Sequence, residues 1–486
     1  MKRAKASSLL LFLVLCLVIL AAFSTIEARK HHGKKIKIHK NKRSRHGDAS
    51  LAPAPSPLPN SGPPVFNILS FGARANRVSD DSKALLKAWK SACKVTGGIV
   101  EIPVGLEFLI KPLTLQGPCR PNLVLQIDGT LLAPSKIWSS PKSSLYQWMN
   151  FKWLQNFTIK GAGTVDGQGS NWWASSQPNQ KKAKRISDIK PTAMRFYKSY
   201  DIKVNDISII NSPLCHLKFD DSKRVKVKNV TISAPENSPN TDGIHLQNSQ
   251  DVEILHSDIG TGLSLSLSVP FSISPILALI LGFSLETGDD CVSIQTGCSN
   301  IHVHHINCGP GHGISIGGLG KDKRVAACVS NVLVENIAMR GTLYGARIKT
   351  WQGGQGSVKN VTFSDIQATD VKVPIMIDQY YCDKNVCKNQ TGAVSISGVR
   401  FDGIRGTYTA QPIHLACSSS VPCIDVELVG VELEPSARYG GFQAAMCWNS
   451  YGKTSGRLAP ACMDDCVRSG SDVVRRISRS REGRCW

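Results

Sequence analysis

The most constraining feature of this chain is a recurrence. Short β-branched runs return along it at Phe157-Thr158-Ile159-Lys160, Ile202-Lys203-Val204, Val225-Lys226-Val227, Val252-Glu253-Ile254, Ile301-His302-Val303, Val332-Leu333-Val334, Val361-Thr362-Phe363 and Val394-Ser395-Ile396. Between them lie turns of Asn, Gly, Ser and Pro, and the spacings fall mostly in the twenties and low thirties. Strands this short cannot bury their faces alone. At such a period, and without helices between them, they must stack coil upon coil. A β-sandwich would place turn signals about every 8–12 residues and would not repeat so evenly. The expected fold is therefore all-β, a parallel β-helix (β-solenoid). Its open end needs a cover. Ser79 to Cys93 can supply one, because a capping signal there precedes Leu85, Leu86, Trp89 and Cys93 at helical spacing. Asp80 and Asp81 are accordingly read as helix-start residues.

One stretch breaks the recurrence. Leu263 to Glu286 carries no basic residue and a single acid at its end, and Val252 to Ile301 spans two periods with only one period of ordinary sequence. Dropping 26 residues (263–288) rejoins the pattern and leaves 21 residues, one coil, between Asp242 and Asp289. Pro270 and Pro275 interrupt the stretch, and a membrane span here would tear the solenoid apart. It is read as untranslated sequence such as a retained intron, with an apolar loop as the alternative.

Residues 1–28 read as a secretory signal, with Lys2, Arg3 and Lys5 before the apolar run Leu9 to Phe23 and small residues near Ala28. Residues 29–64 are a basic arm followed by a Pro-rich linker. Secretion suits the sixteen cysteines, of which Cys16 leaves with the signal. Cys382 with Cys387, Cys417 with Cys423 and Cys291 with Cys308 are the expected pairs. Sequons at Asn156, Asn229, Asn360 and Asn389 agree with the route. Of the net charge of +22, residues 1–28 carry +2 and residues 29–46 carry +9, leaving +11 on the body. A basic secreted body suggests an acidic partner. No nucleic-acid-binding signature accompanies the charge, so an acidic polysaccharide outside the cell fits better. No membrane contact is expected after signal cleavage, and the protein is read as a monomer. The Arg-rich tail, 468–486, is assigned no structure.

The chemistry concentrates on Gly-rich turns. Asn240-Thr241-Asp242, Gly288-Asp289-Asp290-Cys291, Gly311-His312-Gly313 and Arg347-Ile348-Lys349 follow one another at about one repeat once the odd stretch is set aside. Singly, each is an ordinary turn former or solvated charge. Co-phased on successive coils, they meet on one face. Paired carboxylates suffice for glycoside hydrolysis, and their clustering raises at least one pKa. His312 can tune a neighbouring carboxylate. Arg347 and Lys349 lie two apart on a strand-like segment and so face the same way. A metal site from His302, His304 and His312 is set aside, because the first two are expected to face solvent.

These segments, NTDGIH (240–245), GDDC (288–291), GHGISIGGLG (311–320) and RIK (347–349), resemble the four signature segments of plant polygalacturonases, glycoside hydrolase family 28. The resemblance covers about Val65 to Gly452, and the domain is drawn at 65–467. It implies a right-handed parallel β-helix and inverting hydrolysis of α-1,4-linked galacturonic acid in pectin, in the plant cell wall, with endo attack expected. By the same resemblance Asp289 is the general acid, and Asp242 and Asp290 hold and activate water. His312 supports the acid, while Arg347 and Lys349 grip the galacturonate carboxylate. Asn240 and one of Tyr380-Tyr381, taken as Tyr380, complete the substrate contacts. No cofactor and no metal are implied. A lyase on the same architecture, or a pectin-binding protein inactivated by the insertion, are the competing readings. Ala73 to Arg77 departs from the family by lacking the usual Gly-Asp-Gly.

Overall fold

The recurrent runs stack as expected. The computed structural model describes residues 62–138, 147–175, 190–235, 238–263, 288–382, 390–463, 466–480 and 485. The expected signal and nearly all of the arm, residues 264–287 of the odd stretch, Asn389 and Cys387 lie outside these.

Within the described residues the strands pair in parallel into a 21-stranded and an 11-stranded sheet. The chain alternates between them, so each coil contributes to both, and the whole is a right-handed parallel β-helix. Seven of the eight runs that define the recurrence are in register with one another: Phe157, Ile202, Val225, Val252, Ile301, Val332 and Val361 form one file across the larger sheet. The eighth is displaced, since Val399 and not Val394 stands opposite Val361. A β-branched triplet identifies a strand but does not fix which triplet in a rung is in register.

Inward residues fill the coil and outward residues are polar, as a half-buried strand requires. Phe151, Phe196 and Phe219 stack one per coil, with ring centroids 4.8 and 4.9 Å apart. At the turns, Asp251, Asn300, Asn331 and Asn360 all take left-handed φ values of 53–56°. Asn side chains tolerate that conformation, and these form a ladder in which each amide donates to the residue one coil back, at 2.8–3.0 Å. The Asn-rich turns are therefore stacking elements as well as chain reversals. The sequon residues Asn156, Asn229 and Asn360 are exposed at such turns.

The cover at the open end is the helix Ser82–Ala92, which buries Leu85 and Trp89. The indole of Trp89 reaches into the coil against Phe151 and Phe157. Asp81 precedes this helix without capping it. Its carboxylate instead accepts from the Arg74 and Ala75 amides, at 2.8 and 3.1 Å. The Arg-rich tail is structured: Asp472–Ser480 is a helix, with Ser478 buried against Ser395 and Arg475 3.4 Å from Asp425. Cys485 joins Cys328 in a disulfide. Long-range ion pairs and a covalent link hold this segment, and neither is visible as apolar periodicity. Cys291–Cys308 and Cys417–Cys423 form as expected, while Cys215 and Cys298 are free and buried among the described residues.

Candidate active site

The smaller sheet positions the site. Its strands Leu217–Asp220, Ile244–Gln247, Val292–Ile294, Ile314–Leu319 and Tyr344–Trp351 run side by side. An outward file crosses them as Lys218, His245, Ser293, Ser315 and Arg347, one residue about every 4.8 Å. The signature turns enter these strands from one side, which brings Asp242, Asp289, Asp290 and His312 together.

The stacking differs in detail from the expectation. The Gly243 amide donates to the Asp290 carbonyl at 2.9 Å, and Ile244 pairs with Val292. The register thus sets Asp290, and not Asp289, opposite Asp242. Asp289 belongs to the turn before the strand. Its Oδ1 accepts from its neighbour's amide (Asp290, 2.9 Å) and lies 3.0 Å from Nδ1 of His312. The hydroxyl of Thr261 donates to its carbonyl at 2.5 Å. The disulfide Cys291–Cys308 closes a 17-residue separation beside this turn, a constraint on the unfolded chain worth roughly 3 kcal/mol. Gly313 (φ 79°) permits the next turn, where a Cβ would collide with the Tyr344 carbonyl.

Electrostatics divides the three carboxylates. Burial, reinforced by the charges of Asp289 and Asp290, pushes the Asp242 carboxyl well above the ordinary carboxylate range. Burial also presses on Asp289, but the hydrogen bond and charge of His312, with Lys349, hold it below that range. The like charges of these two carboxyls resist joint ionisation, so the pair favours retaining one proton. Of the two, burial favours the proton on Asp242 rather than on Asp289. Asp290, only 1% exposed, is clamped: Oδ1 accepts from Arg347 at 2.6 Å and from the Ser315 hydroxyl at 2.8 Å, and Oδ2 from Lys349 at 2.9 Å. Arg347 and Lys349 do face the same way, but they are held by Asp290 and largely buried. The cluster of two cations and one anion keeps a surplus positive charge.

Aromatic rings complete the wall. Arg347 stacks 4.1 Å from the centroid of Tyr344, whose ring meets His312 edge-on. Lys349 lies 5.6 Å from the ring of Tyr381. Tyr380, the tyrosine singled out from the sequence, takes part through its main chain, donating to Asp378 and accepting from Gln352. Asn240 is exposed at a left-handed position (φ 60°), two residues before Asp242.

Two histidines escaped the sequence reading. Nδ1 of His245 is 2.8 Å from Asp242 Oδ2, and burial with the charge of Lys218 pushes its pKa to about 3. His216, fully buried, faces the carbonyls of Asp242 (3.0 Å) and Ser233 (3.1 Å), and burial pushes it to about 4. His245 sits within the 240–245 segment and so was findable. His216 lies a coil earlier and becomes visible only with the register. The structure also separates the three histidines considered for a metal: His312 is at this site, whereas His302 and His304 are on the larger sheet.

A family profile for glycosyl hydrolases family 28 matches residues 93–263 and 277–454. A probable polygalacturonase of Arabidopsis thaliana is 37% identical, over 82% of this chain and 84% of its own length. A polygalacturonase of Persea americana is 40% identical, over 74% and 71%. Among solved structures, a polygalacturonase from Erwinia carotovora ssp. carotovora superposes with a TM-score of 0.59 at 22% identity, covering 87% of this chain and 100% of that one. An endo-xylogalacturonan hydrolase from Aspergillus tubingensis gives 0.63 at 18% identity, over 84% and 99%. At these identities the structural likeness speaks for the fold alone.

Proposed function

The chain belongs to the glycosyl hydrolases family 28, and from that premise we propose how its own residues cut their substrate. The protein is a polygalacturonase, a hydrolase of the α-1,4-galacturonosyl linkages of pectin. The single observation that carries the mechanism is the convergence of Asp242 and Asp289 beside a clamped Asp290.

The acid step draws on the Asp242–Asp289 pair. The proton that burial holds on Asp242 passes to Asp289, which delivers it to the leaving glycosidic oxygen. Asp242 is then ionised and takes a proton from the attacking water as its oxygen bonds to the anomeric carbon. That returns the pair to one proton and completes an inverting displacement. Asp290, with both oxygens engaged by cations, orients the water and anchors Arg347 and Lys349. The surplus positive charge of this triad receives the galacturonate carboxylate. His312 steadies Asp289, and Asn240 and the Tyr380-Tyr381 pair border the bound sugar.

The polymer lies along the outward file of the smaller sheet, crossing the coils, in an endo-acting enzyme. The leader-like residues 1–28, the disulfides and the acidic substrate support secretion to the cell wall, where the protein is read as a monomer. The family match breaks off over 264–276, and strands on either side of the odd stretch pair as adjacent coils. Both support reading that stretch as an addition to a complete site, which also argues against an inactive binding protein. Membership of a hydrolase family argues against the lyase.

Incubation of the purified protein with polygalacturonic acid tests the assignment. Saturated reducing ends are expected. Unsaturated, ultraviolet-absorbing ends, or no cleavage at all, would overturn it.

A further inference from the structure

A second cluster of ionisable side chains lies on the larger sheet, away from the catalytic turns. The strands Gln250–Leu263, Cys298–Cys308 and Ala327–Arg340 are parallel neighbours there. Register places Glu253 beside His302, and His304 beside Glu335. His302 and His304, two apart on one strand, project from the same outward face. One donor atom from each of Glu253, His302 and His304 falls within 4.8 Å of the others. Nε2 of His304 is 3.3 Å from Glu253 Oε1, and the His302 and His304 rings stack with centroids 4.2 Å apart. Glu335 Oε1 takes Nε2 of His302 at 2.8 Å, and Lys226 pairs with the other oxygen of Glu253 at 2.7 Å. The ring of His256 lies 6.1 Å from that of His304.

We propose that Glu253, His302 and His304 form a binding site for a zinc-class divalent cation. Zinc bonds of about 2.0–2.2 Å to nitrogen and oxygen bring donors to roughly 3.3 Å from one another. One pair already stands at that distance, and the third donor closes by side-chain rotation on a backbone fixed by the sheet. Two imidazoles and one carboxylate suit zinc, copper or nickel, and offer magnesium or calcium little. Glu335 supplies the outer carboxylate that commonly orients a ligating histidine through its second nitrogen. Glu253 and His302 are 49 residues apart in sequence and adjacent in space. An ion held between them clamps the two coils that flank residues 264–287.

The test is calorimetric titration of the full chain with zinc chloride, beside the His302→Ala/His304→Ala and Glu253→Gln variants. Other donors exist, including His31, His32, His39 and His46 in the arm and the catalytic Asp289 with His312, so the readout is the difference in stoichiometry. One equivalent fewer is expected in the double-histidine variant and at least tenfold weaker binding of that equivalent in Glu253→Gln. Zinc should also raise the thermal midpoint of the wild type by several degrees more than that of the double variant. Unchanged metal-free activity on polygalacturonic acid will show that the variants fold. Equal stoichiometry in wild type and double variant, or equal midpoint shifts, would overturn the site.

Discussion

Nδ1 of His312 lies 3.0 Å from Oδ1 of Asp289, and this contact does most to hold Asp289 below the ordinary carboxylate range against its burial. The Asp242–Asp289 pair therefore keeps its one proton chiefly through Asp242. Activity should fall as pH rises and that proton is lost, giving an acidic optimum. Removing His312 (His312→Ala) lets Asp289 share in retaining the proton. The expected result is a kcat lower by about 100-fold, the low end of a general acid–base contribution, with the alkaline limb moved to higher pH. A rate profile of unchanged shape would contradict the contact's assigned part.

Stability should weaken toward acid for a separate reason. His216 is neutral in the fold, with its pKa pushed to about 4, while an unfolded histidine titrates near 6.5. A histidine depressed in this way contributes stability above about pH 6.5, lost as pH falls toward 4, up to about 3 kcal/mol. His245, pushed to about 3, acts in the same direction. Denaturant unfolding at pH 7 and pH 5 should show wild type losing more stability than His216→Gln. Parallel losses would mean the ring is not the titrating group.

Arg347 and Lys349 both serve Asp290, so their loss should not be equivalent. Arg347 also contacts Ser315 and Tyr344, and truncating one partner of a buried pair costs about 3–5 kcal/mol. Arg347→Ala is expected to lower the thermal midpoint markedly. Lys349→Ala leaves Asp290 its guanidinium partner and should act mainly on KM, raising it at least tenfold. A normal KM for Lys349→Ala would remove it from the substrate contacts.

Much of the fold could be read from the sequence because one signal repeats many times. Seven β-branched runs share one register on strands of the larger sheet, and the eighth enters its strand only from Ser395. The smaller sheet, which carries the site, was harder to see. Its strands, such as Val292–Ile294, are short and interrupted by glycine turns, so their period is legible only through the polar signature turns themselves. Asp242, Asp289, Asp290 and His312 converge as their spacing implied. What spacing could not give was that Asp290 stands opposite Asp242, or that Asp290 already holds both cations. Those facts depend on which residue of each turn enters the strand. The tail helix Asp472–Ser480 was illegible for a similar reason, since its partners Asp425 and Ser395 are distant in sequence.

Excising residues 264–287 should leave a working enzyme. Thr261 and Asp289, on either side of that stretch, are hydrogen-bonded to each other, so the flanking coils need no bridge of that length. The shortened chain should match or exceed the full chain in thermal midpoint, since a shorter loop costs less to close, with kcat essentially unchanged. Loss of folding or turnover on excision would make the stretch an integral part of the site.

The measurement that bears most directly on the mechanism is kcat on polygalacturonic acid for Asp242→Asn, Asp289→Asn, Asp290→Asn and the Asp242→Asn/Asp289→Asn double variant. Each single change should lower kcat by about 10²–10⁴-fold. Because Asp242 and Asp289 handle one proton between them, the double variant should be little worse than the poorer single. Wild-type turnover in any single variant, or fully multiplicative losses in the double, would contradict a shared-proton site.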